Sequence, residues 1–183
     1  MLGNISLYKR ITNKFRIEKN NSLDISKKTK MNKCTITIKG RNNLLKIDEG
    51  TSLRNVNIEI VGTNCSIQIG KNCLIGNNTY LSTKEDDIHI IIKDNCGLSR
   101  NIKIMTSDGH PIFSNNIRCN NPKSIIIEKN VWITDNVTIL KGVNIGENSV
   151  VGINSTLTKS IPCNVIAAGN PATIIKNNIT WEA

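Results

Sequence analysis

The chain holds only two histidines, His89 and His110. His110 lies in TSDGHP, between Gly109 and Pro111, neighbours that fix the backbone and remove bulk beside the ring. Imidazole is the side chain best matched to proton transfer near neutral pH. Asp108, two residues earlier, either orients that imidazole or stabilises the turn through an Asx contact, and the turn is favoured. Spacing alone leaves His110 open between a proton-transfer group and a surface loop histidine. His89, in DDIHIII, reads as an exposed strand residue. Two histidines cannot supply a three-histidine zinc centre. The six cysteines, Cys34, Cys65, Cys73, Cys96, Cys119 and Cys163, contain no C-x-x-C pair, so no metal is expected. Cys65, Cys73 and Cys96 stand two places before Ile67, Ile75 and Leu98 and read as reduced core thiols.

A scaffold must hold these residues, and its period is visible from Ile125 to Ser160. Ile127, Ile133, Ile139, Ile145, Val151 and Leu157 recur every six residues. Two places earlier stand Ile125, Val131, Val137, Val143, Ser149 and Ser155, all apolar or small. Three places after an aliphatic come Asn130, Asn136, Gly142, Asn148 and Asn154, the residue types that accept positive φ most readily. A helix of 3.6 residues per turn cannot keep a strict period of six. Short strands joined by corners can, and three of them close a triangle. About eighteen residues then make one coil, and parallel ladders stack the coils at roughly 4.8 Å.

The phase also holds for Ile69, Ile75 and Leu81, and again for Ile92, Leu98 and Ile104. Two slips of five residues interrupt it. One, around TKEDD, predicts a small protruding acidic loop. The other, MTSDGHPIFSNNIRCNNPKS, predicts a loop over 105–124 that carries His110, and loops on rigid scaffolds are where function concentrates. Residues 34–62 read as irregular early coils. The expected organisation is an all-β solenoid over 33–166, an N-terminal segment over 1–32 and a tail over 167–183. Within the first segment LYKRITNKFRI predicts a short amphipathic helix with Leu7, Ile11 and Phe15 on one side. Capping the solenoid end is favoured for it over resting on a membrane.

Net charge is +10, which attracts nucleic acid, anionic membranes or acidic metabolites. Aromatic residues are only 3% of the chain, so little can stack on bases, and no nucleic-acid motif occurs. The charge suits a polyphosphate cofactor and an acidic glycan, or simply a basic surface. No apolar run reaches membrane-spanning length. The N-terminal stretch lacks an apolar h-region and a cleavage site, and Gly3 stands one place too late for myristoylation. The expected compartment is the cytoplasm.

Over about residues 65–176, the motifs TSDGHP, VWITDNVTILKGVNIGENSVVGINSTLTKSIP and AAGNPATIIK resemble those of the hexapeptide-repeat acyltransferases. The flavour is that of the sugar and polysaccharide O-acetyltransferases. The resemblance implies a left-handed parallel β-helix, a homotrimer and acetyl-CoA as acetyl donor. It implies His110 as catalytic base, with Trp132 near the acetyl group and the pantetheine arm. Asp135 falls where cofactor or acceptor is touched, and the backbone of Ile153 meets the pantetheine arm. Thr158 and Lys159 match a pair near the adenine and phosphates. Thr173 and Lys176 match positions near the 3′-phosphate, and only Lys176 keeps the charge. An acceptor-binding asparagine of the galactoside branch falls beside Asn77, and Asp108 joins it on the expected acceptor side. Trp132 alternates with inward Val131 and Ile133, so it points outward, as an interface or ligand-contact residue does.

The expected function is acetyl-CoA-dependent O-acetylation of a sugar hydroxyl on a bacterial surface polysaccharide or its precursor. His110 serves as general base in a direct transfer. Two alternatives stand: N-acetylation of an amino-sugar nucleotide, and a non-catalytic scaffold. The expected partners are the glycan acceptor and two further copies of the chain, with no nucleic acid and no integral membrane segment.

Overall fold

The computed structural model describes residues 5–182. Sheets of seven, six and eight strands form the three faces of a prism of about seven turns. Face 1 runs through Lys14–Ile17, Thr35–Arg41, Asn57–Thr63, Tyr80–Lys84, Lys103–Met105, Thr138–Ile139 and Thr156–Leu157. Face 2 includes His89–Ile92 and Ile125–Ile127. Face 3 includes Lys30–Asn32, Ser52–Arg54, Leu74–Ile75, Gly97–Leu98, Trp132–Ile133 and Val150–Val151. The chain visits the faces in that order, coil after coil.

Register explains the period. Ile104 lies over Ile139 and Leu157 on face 1, Ile92 over Ile127 and Ile145 on face 2, and Leu98 over Ile133 and Val151 on face 3. These side chains fill the lumen and are buried. Full burial of one aliphatic of this size is worth about 1.5–3 kcal/mol relative to exposure. The corners behave as their residue types require: φ is 53° at Asn130, 60° at Asn136, 59° at Asn148 and 58° at Asn154. Their amides also bridge coils. Asn101 donates to Asn136, and Asn136 to Asn154, both at 2.9 Å.

Three expectations need correction. First, the coils begin at Lys14, not at residue 33, and residues 34–62 are regular. Ile36, Ile58, Leu81 and Ile104 stack in successive coils but lie 22 or 23 residues apart, against 18 between Ile139 and Leu157. Longer face-1 strands and a wider corner after them absorb the excess, so a six-residue ruler loses phase there. TKEDD belongs to that geometry: Thr83 is buried within a face-1 strand, and Glu85 and Asp87 turn the corner. Second, the helix spans only Leu7–Thr12, with Leu7 and Ile11 exposed. Ile5 and Lys9 are its buried contacts, and Phe15 belongs to the first strand. Third, the residues assigned to a tail from 167 extend face 3: Val165–Gly169 and Ala172–Asn177 pair antiparallel. The chain then turns back along the edge between faces 2 and 3. Ile179 N donates to Asn164 O at 3.0 Å, and Trp181 Nε1 to Asn130 O at 2.8 Å.

His89 is half-buried rather than exposed, with Nδ1 3.0 Å from Ser66 Oγ. Cys34, Cys65, Cys73 and Cys96 are buried free thiols. Among the described residues, no helix is long and apolar enough to cross a membrane.

Candidate active site

The loop carrying His110 leaves face 1 after Thr106 and returns at Ile125 on face 2. Its neck is closed by the Lys123 N–H donating to Thr106 O at 3.0 Å. Its tip is a hairpin, Phe113–Ser114 against Ile117–Arg118. Asn115 and Asn116 turn it at φ 49° and 63°, as a two-residue type I′ turn requires.

Asn120, buried beneath the hairpin, fixes the segment around His110. Its Oδ1 accepts the Ile112 N–H at 2.7 Å, and its Nδ2 donates to His110 O at 2.8 Å and to Asp108 Oδ2 at 2.9 Å. Asp108 is also ion-paired with Lys141. Donation by Lys141, and then by Asn120, holds the Asp108 carboxyl below the usual carboxylate range. Arg118 grips Glu85 at 2.6 Å, and Ser107 Oγ donates to the same carboxylate at 2.7 Å. The Arg118 guanidinium is the chief cause of the lowered Glu85 carboxyl. Asp108 therefore clamps the loop and does not bond the imidazole. The His110 backbone is fixed while its ring is exposed.

A cleft of about 700 Å³ opens on face 3, within the range of about 300–1,000 Å³ usual for small-molecule sites. Trp132 overhangs it, 41% exposed, with Nε1 donating to Ser99 Oγ at 3.2 Å. Gly97 forms the floor on the coil below. A Cβ there would meet only Trp132 Cδ1, at 3.6 Å, so the missing side chain is what keeps the floor open. On the edge toward face 1, Arg100, Asp135 and Ile153 make one wall. The Arg100 backbone N–H donates to Asp135 Oδ1 at 2.8 Å and Nη2 donates to Oδ2 at 2.6 Å, which lowers the Asp135 carboxyl. Trp181 makes the opposite wall, its ring centroid 5.8 Å from that of Trp132 and tilted 39°.

The expected site residues fall into separate groups. Asn77, Trp132, Asp135 and Ile153 line the cleft. His110, Thr158 and Lys159 lie along the edge between faces 1 and 2, all exposed. Thr173 and Lys176 stand exposed on the terminal strand of face 3. One chain does not bring His110 to the cleft. Asp135 is occupied by Arg100. Sequence reasoning missed Arg100, Asn120 and Trp181. Trp181 had a signal, because a chain with two tryptophans and few other aromatics has reason to pair them. Asn120 and Arg100 gave none, since their partners lie 8 to 35 residues away.

The family model for the hexapeptide repeat of succinyl-transferase matches residues 60–83, 66–103 and 124–159. The polysialic acid O-acetyltransferase of Escherichia coli O1:K1 is 38% identical over 115 residues, which is 62% of this chain and 37% of that protein. The galactoside O-acetyltransferase of Escherichia coli K12 is 41% identical over 113 residues, 58% of this chain and 55% of that protein. The matched part thus spans about a third to a half of those curated relatives. The crystal structure of the polySia-specific acetyltransferase NeuO matches with a TM-score of 0.87 at 34% identity, covering 93% of this chain and 73% of that one. Repeat, register and these likenesses agree on a left-handed parallel β-helix, and the chain belongs to the hexapeptide-repeat acyltransferases, alongside relatives named as polysaccharide and galactoside O-acetyltransferases.

Proposed function

We propose that the protein is an acetyl-CoA-dependent O-acetyltransferase that modifies a sugar hydroxyl of a bacterial surface polysaccharide or its precursor in the cytoplasm. One observation carries this reading. The His110 loop leaves between the coil of Gly97–Leu98 and the coil of Trp132–Ile133, so His110 and the Trp132 cleft stand at one level on different edges of the prism. Copies arranged side by side about an axis parallel to the solenoid would set one chain's His110 against the next chain's cleft. The assembly proposed is a homotrimer.

In that seam, the His110 imidazole takes the proton of the acceptor hydroxyl as the oxygen attacks the thioester carbonyl. A backbone N–H of the seam stabilises the oxyanion. The imidazolium then returns the proton to the leaving thiolate. Exposed Trp132 and Ile153 supply an apolar seat for the pantetheine arm, and Thr158, Lys159 and Lys176 offer a hydroxyl and two cations to the phosphates. No acyl-enzyme is invoked: Cys119, the cysteine of the loop, gives its thiol to Ile112 O.

The test is His110→Ala, assayed by mass spectrometry of glycans incubated with labelled acetyl-CoA. General-base assistance is worth roughly 10²–10⁴-fold, and a loss of that size with unchanged melting temperature is expected. Retained transfer removes His110 from the mechanism, and a product carrying acetyl on nitrogen replaces the hydroxyl acceptor with an amine.

A further inference from the structure

The end of the prism beneath the first coil is apolar. Phe15 and Ile17 stack under Ile36 and Ile38, and Leu23 stacks under Leu45. The upper three are fully buried, but the lower three are only half-buried, because among the described residues only the helix lies beneath the first coil. The helix Leu7–Thr12 packs against the first strands of faces 1 and 3. Lys9 turns inward, its Nζ donating to Ser26 O and Lys27 O at 2.8 and 3.2 Å, and Ile5 just before the helix is buried. That orientation leaves Leu7, Tyr8 and Ile11 outside, 73%, 67% and 75% exposed. Residues four apart share a helix face, so Leu7 and Ile11 make one apolar patch with Tyr8 beside it, opposite Lys9.

Cations ring this apolar end. Residues 5–33 hold nine lysines and arginines against Glu18 and Asp24, whereas residues 34–183 hold fifteen against twelve carboxylates. Most of the net +10 therefore sits at one end of the molecule. Lys14 and Arg16 project from face 1, Lys19 stands at the next corner, Lys27 and Lys28 at the one after, Lys30 on face 3 and Lys33 at the last corner, all exposed. Face 2 carries the exception, Asp24, and Glu18 is tied to the Gly40 N–H at 2.7 Å. Among the described residues, Lys28 alone of that ring has a carboxylate partner, Glu49 at 3.0 Å. Like charges gathered this way repel one another, and a negative surface relieves that repulsion while covering the apolar centre. A second copy docked base to base would instead set the same cations against each other.

We infer that the base of the prism is a membrane-docking surface: Leu7, Tyr8 and Ile11 enter the interface of a bilayer rich in anionic phospholipid, and the ring of cations lies against its headgroup phosphates. An apolar insertion and a polybasic patch together give stable attachment where one alone gives only marginal binding. Lysine and arginine suit the rim, because their stems lie along apolar surface while the charge stays among the headgroups. A groove of about 410 Å³ between the helix and the first coils is lined by Tyr8, Lys27, Lys30 and Arg54 and by no aspartate or glutamate, so it offers a seat for one headgroup phosphate. Docked in this way, the solenoid stands upright on the bilayer. Lys30, Ser52, Leu74, Gly97 and Trp132 occupy equivalent positions on five successive coils of face 3. Four ladder steps then hold Trp132 roughly 19 Å above the docked coil. The docking does not depend on the acetyl transfer proposed above. A trimer about an axis parallel to the solenoid would present three such bases to one surface.

Flotation of the full chain with lipid vesicles tests this. With vesicles of equal parts phosphatidylglycerol and phosphatidylcholine the protein should float, and less so as salt rises; with phosphatidylcholine alone, binding should be at least about tenfold weaker. Leu7→Ala and Ile11→Ala should each weaken binding about five- to tenfold, the scale of one aliphatic side chain half withdrawn from water. Lys27→Ala and Lys30→Ala should each weaken it about fivefold, the scale of one cation beside an anionic surface. Two controls should change nothing: Ile175→Ala, an exposed aliphatic on the terminal strand, and Lys103→Ala, an exposed cation in the middle of face 1. All six side chains are exposed, so the variants should melt like wild type. Depth is read with brominated lipid. The native tryptophans, Trp132 and Trp181, pair several coils away and should not be quenched, whereas Tyr8→Trp should add a quenched component. No binding, equal binding to neutral vesicles, apolar variants without effect, controls as damaging as the base variants, or quenching of the native tryptophans in place of the one introduced at position 8 would each overturn the docking. So would sedimentation in which Leu7→Ala, and not Ile175→Ala, dissociates the assembly, because a second copy would then be the occupant.

Discussion

Asn120→Ala should cripple turnover without unfolding the protein. Three hydrogen bonds of 2.7–2.9 Å disappear, to the Ile112 N–H, to His110 O and to Asp108 Oδ2. A net worth of about 0.5–1.5 kcal/mol each gives about 2–4 kcal/mol, and water reaching the exposed loop returns part of it, leaving about 2–3 kcal/mol. That energy orders the loop and not the solenoid, because the neck bond from Lys123 to Thr106 and every ladder remain. If the ordered loop is the form that presents the imidazole, kcat falls by about 30- to 150-fold, since each 1.4 kcal/mol is tenfold. The KM for acetyl-CoA should hold, because Asn120 does not line the cleft. Asn120→Asp sharpens the test. It keeps the acceptor for Ile112 but sets a carboxylate where Nδ2 met Asp108, so it should be no better than alanine. The assay is steady-state acetyl transfer with varied acetyl-CoA, alongside a thermal melt. A kcat within twofold of wild type, or a drop in melting temperature that accounts for the lost activity, would refute the positioning role.

Gly97→Leu should fold normally and lose coenzyme A or acceptor binding, because its side chain enters open space beneath Trp132; unchanged activity would show that the cleft is not the site. Asn148→Ala should cost about 2 kcal/mol in denaturant unfolding, from a left-handed position that alanine tolerates less well than asparagine and from two lost amide bridges, while Asn148→Gly recovers the backbone part. Acid should open the His110 loop first. The Asp108 and Glu85 carboxyls lie below their ordinary values in the folded chain, so their clamps are intact above about pH 4 and are lost as pH falls through the lowered values. Pepsin cleavage mapped by mass spectrometry should therefore begin within 107–122 below that pH, and first cuts in the coils would contradict the clamp.

How much of this was legible in the sequence depends on how locally each feature is encoded. The lumen and the corners were legible from Ile125 to Ser160, because each residue's environment repeats six places on and the left-handed asparagines declare the turns. The N-terminal coils were not, because Thr35–Arg41 and Asn57–Thr63 add residues to one face only and shift the phase of everything after them. The extra length is itself regular, but its period of 22 or 23 is visible only once Ile36, Ile58 and Leu81 are known to stack. The site divides in the same way. His110 and Trp132 stood out through their neighbours. Arg100 and Trp181 gained meaning only when coils 35 to 51 residues distant came to lie beside them. The short helix was legible but its buried face was not: six residues packed on the first coil follow whatever surface it offers, and there Lys9, not Leu7, had carbonyls to reach.

The two kinds of corner also explain why one chain keeps His110 and the Trp132 cleft apart. The corner after face 1 is wide and filled by side chains. Asn43 donates to Lys39 O and Gly62 O and accepts the Cys65 N–H, and Asn21 makes the matching bonds one coil below. Backbone groups there are satisfied without a tight turn, so extra residues can leave and return while Ile104 over Ile139 and Ile92 over Ile127 keep register. The corner after face 3 is tight and threaded by a continuous amide ladder, from Asn55 through Asn78, Asn101 and Asn136 to Asn154. An insertion there would break two bridges and the stacking of both coils. The loop bearing His110 is therefore accommodated on the first edge and the rigid Arg100–Asp135 wall of the cleft on the last, and one triangular coil cannot turn both toward the same point. Activity should accordingly track assembly. Diluted until sedimentation shows single chains, the protein should lose acetyl transfer while its melting transition persists, and a fully active monomer would mean that His110 and the Trp132 cleft do not work together.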